Sequence, residues 1–224
     1  MGKKMIITID GPAGVGKTTL AKALAQSLKI AYLDTGAMFR AAAWILGPDV
    51  LSLRESELAL RLKDLHFRIQ GTGAGCCLML EGQPISDQVR TEETGMLASR
   101  LAGLQVVREF MKKSQQQMGK EISLVAEGRD MGSVVFLDAD YKFYFQADPK
   151  IRAARRYAQL RELGLKPDKE KILMQIRQRD AQDENRAIAP LKPAADAVHI
   201  DTGGHDPKEI LERMLQIIGN CRKN

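Results

Sequence analysis

The stretch Gly11-Pro12-Ala13-Gly14-Val15-Gly16-Lys17-Thr18 has one glycine, four further residues and then Gly-Lys-Thr. An apolar run, Met5–Ile9, precedes it, and leucines spaced four residues apart follow it from Leu20 to Leu28. The apolar run predicts a strand, and the leucine spacing predicts a helix. A strand, this glycine-rich spacing and a helix, in that order, predict a phosphate-binding loop.

Such a loop binds phosphates mainly through its backbone. Its glycines let several N–H groups converge on one anion-binding hollow, and the positive end of the following helix adds to the attraction. Lys17 can reach the β- and γ-phosphates of a nucleotide, and the Thr18 hydroxyl can ligate Mg²⁺. The loop therefore predicts a protein that uses a nucleoside triphosphate.

Size, charge and cysteine content narrow the class of protein. The 224 residues suit one α/β domain, with or without an insertion. The 34 basic and 28 acidic residues leave a net charge of +6, which favours an anionic partner. Cys76, Cys77 and Cys221 lack metal-ligand spacing and are predicted to be free thiols. We expect a cytoplasmic protein, because we find neither a signal peptide nor an apolar run long enough to span a membrane.

Short apolar runs that alternate with helical patterns predict a parallel sheet covered by helices. The predicted strands are Met5–Ile9, Ile30–Leu33, Ile122–Ala126, Tyr141–Gln146 and Ala197–Asp201. An aspartate followed by proline predicts a helix start at Asp148 and again at Asp206. Ser52, with Glu55 three residues later, predicts a capping box.

The middle of the chain interrupts this alternation. Glycine-rich turns between short apolar segments predict a small antiparallel sheet of His66–Gln70 and Cys76–Glu81, with Gly82-Gln83-Pro84 as a turn. A helical pattern then runs from Thr91 to Met118, with a break near Gly103. We therefore predict an insertion at residues 62–105, within a core of residues 1–61 and 106–224.

Four further segments carry charged residues in patterns that suit phosphate binding, and each has a simpler explanation. The segments are Leu33–Arg40, Ala126–Asp130, the set Arg179, Asp183 and Arg186, and the set Arg152, Arg155 and Arg156. The simpler explanations are a helix cap, a structural ion pair, a solvated helix face and an exposed basic helix, respectively. The Arg179 set is predicted to share one helix face. The Gly- and Pro-containing loop that follows Glu162 suggests a mobile lid.

Arginines in four separate segments, together with one phosphate loop, favour transfer between two phosphorylated substrates. Catalysis of this kind consists largely of alignment and electrostatic stabilisation of the transferred group. A phosphate acceptor needs no general base, which agrees with the scattered positions of the three histidines.

Several segments together carry a resemblance to a known family. They are Ile9–Thr18, Leu33–Arg40, Ser86–Thr91, Glu127–Gly132 with Val134–Phe136, and Arg179–Arg186 with Ala189–Leu191. In this order and spacing the chain resembles the bacterial cytidylate kinases over essentially its whole length. The resemblance implies an α/β P-loop kinase with a five-stranded parallel sheet flanked by helices, a small inserted α+β monophosphate-binding domain and a short lid at about residues 155–168. It implies phosphorylation of CMP and dCMP by ATP with Mg²⁺, by a monomer without nucleic-acid or membrane partners.

The resemblance also implies roles for individual residues. The residues expected to bind ATP are Gly11, Pro12, Ala13, Gly14, Val15, Gly16, Lys17, Thr18, Thr19, Arg152 and Arg155. Those expected to bind CMP are Thr35, Arg40, Arg129 and Arg186 at the phosphate, Ser99, Arg108 and Asp130 at the cytosine, and Arg179 and Asp183 at the ribose. The expected catalytic residues are Lys17, Arg129, Arg156 and Arg186, and Thr18 is the expected metal ligand.

Hydrogen-bond chemistry agrees with cytosine as the base. The cytosine N4 amino group donates to a carboxylate such as that of Asp130, whereas uracil presents a carbonyl oxygen at the same place. Arg108 can donate to the cytosine acceptors O2 and N3. Phe39 stands where the family usually has a tyrosine, so one hydroxyl is lost.

Two alternatives stay open from the sequence alone. One is another small-molecule P-loop kinase that acts on adenylate, uridylate or shikimate. The other is a nucleotide-dependent switch that binds nucleic acid, which the charge of +6 suggests. The low aromatic content of 5% and the lack of a basic tail argue against the second alternative.

Overall fold

The computed structural model describes residues 4–221. Its strands are β1 (Ile6–Asp10), β2 (Ala31–Asp34), β3 (Phe67–Gln70), β4 (Cys77–Leu80), β5 (Gln83–Pro84), β6 (Leu124–Gly128), β7 (Tyr141–Gln146) and β8 (Val198–Asp201). Its α-helices are α1 (Lys17–Leu28), α2 (Thr35–Leu46), α3 (Glu55–Lys63), α4 (Glu92–Leu101), α5 (Gln105–Glu121), α6 (Pro149–Glu162), α7 (Lys169–Glu184) and α8 (Pro207–Cys221). Cys76 and Cys77 are free thiols, as predicted. The side chain of Cys221 lies outside the described part of the chain.

The central sheet has five parallel strands in the order β2-β6-β1-β7-β8, which confirms the predicted fold class. Its strands match the five predicted apolar runs. The register places Asp10 beside Gly128 and Asp34 beside Glu127. Because the carboxyl ends of parallel strands share one edge, the loops that follow β1, β2 and β6 meet there, where ligands bind in open α/β sheets.

Apolar clusters cover both faces of this sheet. On one face, α1 and α8 contribute Leu24 and Met214 to a cluster with Phe143 and Phe145 of β7. On the other face, α2 and α5 pack over β2 and β6. Among the helices of residues 4–221, none combines the length and the apolar character that a membrane crossing requires.

The predicted antiparallel sheet is present as three strands in the order β3-β4-β5. Our assignment of Gly82-Gln83-Pro84 as a turn was partly wrong, because Gln83–Pro84 pairs with β4. Phe67 of β3 and Leu80 of β4 belong to the same buried cluster as Met38 of α2. The small sheet is thus an outgrowth of one apolar layer, and the division into residues 62–105 and the core stays a prediction.

The aspartate caps were predicted correctly, and the serine cap was not. Asp148 and Asp206 accept hydrogen bonds from the backbone N–H groups of Lys150 and Lys208, at the starts of α6 and α8. Ser52 instead ends a short 3-10 helix, Pro48–Ser52, and α3 begins at Glu55 with Arg54 at its N-cap. Ser52 is the last residue of the 3-10 helix and therefore does not serve as the N-cap of the following α-helix.

Gly11 provides a test of the junction between β1 and the phosphate loop. It has φ +147°, and a Cβ atom there would lie 2.3 Å from the Phe145 carbonyl oxygen, a backbone atom that cannot move alone. We expect Gly11→Ala to lower the free energy of unfolding by about 3 kcal/mol or more, from overpacking and backbone strain together. Urea denaturation monitored by circular dichroism measures this loss.

The matched control is Gly95→Ala inside α4, where a Cβ atom meets nothing within 4 Å. We expect it to raise stability by about 0.5–1 kcal/mol, since alanine is the better helix former. Equal effects of the two substitutions would contradict the close approach at Gly11.

Candidate active site at the carboxyl edge of the sheet

The phosphate loop connects β1 to α1, as the sequence predicted. The Lys17 side chain folds over the loop, and its Nζ donates to the carbonyl oxygens of Gly11 at 2.9 Å and Pro12 at 2.8 Å. Burial, followed by the positive charge of Arg129, lowers the pKa of Lys17 to about 7, although Glu127 and Asp10 act in the opposite direction. The surroundings of Lys17 therefore disfavour its charged form, and a nearby anion would stabilise that form.

Glu127, at the end of β6, connects two parts of the site, and our sequence analysis gave it no role. Its carboxylate accepts from the Thr18 hydroxyl at 2.8 Å and also from the Tyr32 hydroxyl. Its backbone carbonyl accepts from the Thr35 hydroxyl at 2.7 Å. Burial, and then the charge of Asp34, raise the pKa of Glu127. Its position directly after the predicted strand Ile122–Ala126 was the signal that could have identified it.

Asp10 fixes the turn that carries Arg129 and Asp130. Its two carboxylate oxygens accept from the backbone N–H groups of Met131 and Gly132, each at 2.8 Å. Burial raises the pKa of Asp10 to about 6, although these two hydrogen bonds favour the charged form. The following residues form a π-helical turn, Met131–Val135. This carboxylate therefore holds the loop after β6 against the end of β1.

Two of the four predicted acceptor-phosphate residues, Arg129 and Arg186, contact one buried carboxylate, that of Asp183. Arg129 donates to its Oδ2 at 2.7 Å, and Arg186 donates to its Oδ1 at 2.5 Å. Arg186 also lies 3.4 Å from the Ser99 hydroxyl. The predicted shared helix face was only partly correct, because α7 ends at Glu184 and Arg186 reaches back from beyond it.

Two more arginines, Arg179 and Arg40, add to the excess of positive charge in this region. Loss of hydration, followed by the charge of Arg129, lowers the pKa of Arg179 to about 10. Arg40 lies 3.7 Å from Asp34, and its buried Nε has no hydrogen-bond partner within the described residues. Burial also lowers the pKa of Arg40 and of Arg186. Lowered pKa values of several neighbouring arginines indicate a site that favours an anion.

Two of the three predicted base-reading residues, Arg108 and Asp130, line a cavity of about 280 Å³, and Ser99 is not among its lining residues. Arg108 and Asp130 form an ion pair that lines this cavity, and both are largely buried. The Arg108 guanidinium also lies 5.9 Å from the centre of the Phe39 ring, a cation–π arrangement that needs no hydroxyl. The donor and acceptor groups expected to read a base thus satisfy each other in the free protein.

Arg90 is a further charged residue of the site. It belongs to the segment Ser86–Thr91 that carries the family resemblance, but the sequence alone assigned it no role. Its Nη2 donates to Asp34 Oδ2 at 3.0 Å, from the short 3-10 helix Asp87–Arg90. Asp34 also caps α2, accepting from the Ala37 N–H at 2.8 Å. Cap formation was one of the simpler explanations for Asp34, and it is confirmed. The contact with Arg90 connects the inserted segment to the sheet edge.

The three arginines of α6 that the sequence singled out, Arg152, Arg155 and Arg156, do not form one cluster. Arg152 is buried against the phosphate loop, and Arg155 donates to the hydroxyl and carbonyl oxygens of Thr202. Thr202 in turn donates to the Val15 carbonyl at 2.9 Å. Arg156 is exposed and makes no hydrogen bond or ion pair within residues 4–221.

The arginines near Asp183 interact electrostatically with the phosphate loop. Arg129 and Arg179 both lower the pKa of Lys17, so the predicted acceptor residues act on the predicted donor loop. A parallel sheet with a phosphate loop on one side of its edge and an arginine cluster on the other defines a P-loop kinase.

The chain matches the sequence model of the cytidylate kinase family over residues 7–220 and belongs to that family. It is 54% identical to the cytidylate kinase of Oleidesulfovibrio alaskensis over 215 residues, which cover 96% of this chain and 98% of that protein. It is 52% identical to the cytidylate kinase of Nitratidesulfovibrio vulgaris, with 95% and 92% covered, and 43% identical to that of Fervidobacterium nodosum, with 96% and 97% covered.

Solved structures with low sequence identity share the overall fold. An uncharacterized protein from Eubacterium ventriosum aligns with a TM-score of 0.51 at 16% identity, over 97% of this chain and 99% of its own. A protein from Thermus thermophilus aligns with a TM-score of 0.50 at 19% identity, over 97% of each chain. These two similarities concern the fold alone.

The pKa of Lys17 can be measured directly. In the free protein its ammonium group should lose its proton near pH 7, far below the usual value of 10.5, because burial and Arg129 disfavour the charge. Added ATP phosphates should reverse this shift, so the lysine takes up a proton when nucleotide binds above pH 7. NMR of ¹³C-labelled lysine side chains across this pH range checks both expectations. Lys17→Arg assigns the signal, and titration near 10.5 without nucleotide would contradict the electrostatic account.

Proposed function

We propose that this protein phosphorylates CMP and dCMP to CDP and dCDP with ATP, by direct in-line transfer of the γ-phosphoryl group. The observation that carries the proposal is the arginine cluster around Asp183, which faces the phosphate loop and lowers the pKa of Lys17. Membership of the cytidylate kinase family supports the choice of nucleotide.

In the donor half, the loop residues Gly11 to Thr19 bind the triphosphate of ATP through their backbone N–H groups. Lys17 exchanges its contacts with the Gly11 and Pro12 carbonyl oxygens for phosphate oxygens. This exchange also restores a stable charge to the lysine. Of the three predicted arginines Arg152, Arg155 and Arg156, Arg156 is the one whose side chain is exposed, and we assign it to the transferring phosphoryl group.

In the acceptor half, the CMP phosphate takes over the guanidinium groups of Arg129 and Arg186 from Asp183. Arg40, with its unpartnered buried Nε, and Thr35 complete the phosphate site. Asp183 and Arg179 are then placed for the ribose. An oxygen of the CMP phosphate attacks the γ-phosphorus while the bond to the β-phosphate oxygen breaks, so ADP leaves and no general base is needed.

In the base pocket, Asp130 accepts from the cytosine N4 amino group, and Arg108 and Ser99 contact the remaining edge. The base would divide the Arg108–Asp130 ion pair and fill part of the adjoining cavity. Uracil would place a carbonyl oxygen against the Asp130 carboxylate and leave buried polar groups unpaired.

The residues at the donor loop fit Mg²⁺ bound together with ATP. The Thr18 hydroxyl and the Glu127 carboxylate lie 2.8 Å apart, and Mg²⁺ prefers oxygen ligands of this kind together with phosphates and water. Within residues 4–221 no three acidic, histidine or cysteine side chains form a cluster that could hold a metal ion. When bound, Mg²⁺ neutralises charge on the phosphates.

We further propose that the protein acts as a monomer in the cytoplasm, as the family resemblance implies. Its other partners are then the small-molecule substrates alone, without nucleic acid or membrane. Gel filtration with light scattering tests the monomeric state.

An acceptor panel tests the proposed reaction and the base reading together. With ATP as donor, ADP release should be fastest with CMP or dCMP, and Lys17→Ala serves as the inactive blank. We expect Asp130→Asn to lower the CMP to UMP ratio of kcat/KM by about tenfold or more, because an amide can present either a donor or an acceptor to the base. Faster turnover of AMP or shikimate than of CMP would overturn the proposed substrate.

The matched control for this panel is Glu121→Gln, the same acid-to-amide change on the exposed end of α5. It should leave the CMP to UMP ratio unchanged. If Asp130→Asn also leaves the ratio unchanged, Asp130 does not read the base.

Glu127→Gln tests the predicted metal site. Loss of the carboxylate charge beside Thr18 should raise the Mg²⁺ concentration needed for half-maximal ATP binding by about tenfold, the usual scale for a group that supports a metal ligand. Tyr32→Phe, which keeps the carboxylate and removes one hydrogen bond, should have a smaller effect. Titration of a fluorescent ATP analogue with Mg²⁺ measures both. An unchanged Mg²⁺ requirement in Glu127→Gln would rule out this role.

A further inference from the structure

The Arg152 side chain joins three separate parts of the molecule. It is 3% exposed, and its Nη1 and Nη2 donate to the two carboxylate oxygens of Asp180 on α7, at 2.9 and 2.6 Å. Nη1 also donates to the Ala13 carbonyl in the phosphate loop at 3.1 Å, and Nε donates to the Ala147 carbonyl at 3.0 Å. Four hydrogen bonds to protein acceptors thus hold the guanidinium, which differs from the role at ATP phosphates that the resemblance implied.

The contact with Ala13 has a consequence for the neighbouring amide. In a planar trans peptide the C=O and N–H groups point in opposite directions, so the oxygen that Arg152 holds fixes where the Gly14 N–H points. Gly14 also packs against this arginine, since a Cβ atom there would lie 3.4 Å from Arg152 Cβ. The Arg152 guanidinium therefore fixes the orientation of the Gly14 N–H, one donor of the predicted phosphate nest, through its contact with the Ala13 carbonyl oxygen.

The Asp180 carboxylate fixes the orientation of the Arg152 guanidinium. A bidentate pair with a carboxylate fixes the plane of the guanidinium, which a single acceptor would not do. Helices α6 and α7 are held together by a small apolar cluster of their own, Ala153, Ile172 and Ile176. The helix pair can therefore keep its packing if the ion pair changes, and the role of the pair in orientation can be separated from its role in stability.

We propose that Arg152 and Asp180 are positioning residues for the donor nucleotide: the ion pair orients the Ala13–Gly14 peptide so that the Gly14 N–H is ready for a phosphate of ATP. This inference rests on the proposed function only in taking ATP as the nucleotide. It replaces the direct contact between Arg152 and ATP with an action through the loop backbone.

The test is nucleotide binding by Asp180→Asn, measured by calorimetry with Mg-ATP alone and with CMP alone. The variant should bind ATP about tenfold more weakly and CMP as the wild type does, since one charge-assisted contact behind the donor loop is lost. Asp180→Glu, which restores the carboxylate, should recover most of the affinity for ATP. Glu170→Gln, the same acid-to-amide change at an exposed position of α7, should change neither affinity.

Thermal unfolding and the Gly14 amide signal in a ¹H–¹⁵N NMR spectrum distinguish positioning from simple stabilisation. The Gly14 signal should shift in Asp180→Asn and in Arg152→Lys, and not in Glu170→Gln. Unchanged ATP affinity, or an equal loss of ATP and CMP affinity, would overturn the proposal. Because ATP binding is measured without an acceptor, the result stands even if CMP proves not to be the substrate.

Discussion

The acceptor half of the site is organised around the carboxylate of Asp183. Burial alone would raise the pKa of this group, but Arg129 and Arg186 outweigh that effect and hold the pKa below its usual value. Arg179 also lowers the pKa of Asp183, so this one carboxylate offsets part of the mutual repulsion of Arg129, Arg179 and Arg186. Arg129 and Arg186 thus already have an internal anionic partner, whereas the Arg40 Nε has none within the described residues. A phosphate that bound Arg129 and Arg186 would compete with Asp183, so the net binding free energy of those two contacts would be smaller than that of two unpaired arginines.

A second layer of buried acids holds this arrangement on the sheet. Asp10 binds the turn after β6. The Glu127 carboxylate accepts a hydrogen bond from Thr18 of the phosphate loop, and the Glu127 backbone carbonyl accepts one from Thr35. Both acids lie at the ends of adjacent strands, and burial raises the pKa of each. A displacement at the end of β1 or β6 would therefore change the positions of residues in both the phosphate loop and the arginine cluster.

Much of the fold could be predicted, because strands buried on both faces are continuous apolar runs and Asp-Pro pairs mark helix starts. The phosphate loop was predictable because its chemistry depends on spacing within one segment. The contacts of Glu127 with Thr18 and of Arg152 with Asp180 were not, since they depend on how distant elements pack. Arg186 shows the same limit. Its spacing from Asp183 suits a continuous helix, yet α7 ends before it, and the ion pair forms across the helix end.

Phe67 and Leu80 of the small sheet share a buried cluster with Met38 of α2 and Met111 of α5. The segment that carries them is thus not a detachable module. Consider a chimera in which only residues 62–105 are replaced by those of a related kinase. One part of its close-packed interior would then come from each parent protein. Small changes of side-chain volume would then leave voids or clashes. Recombination that keeps α2 and α5 together with the small sheet preserves the packing, so crossover points are best placed outside those helices.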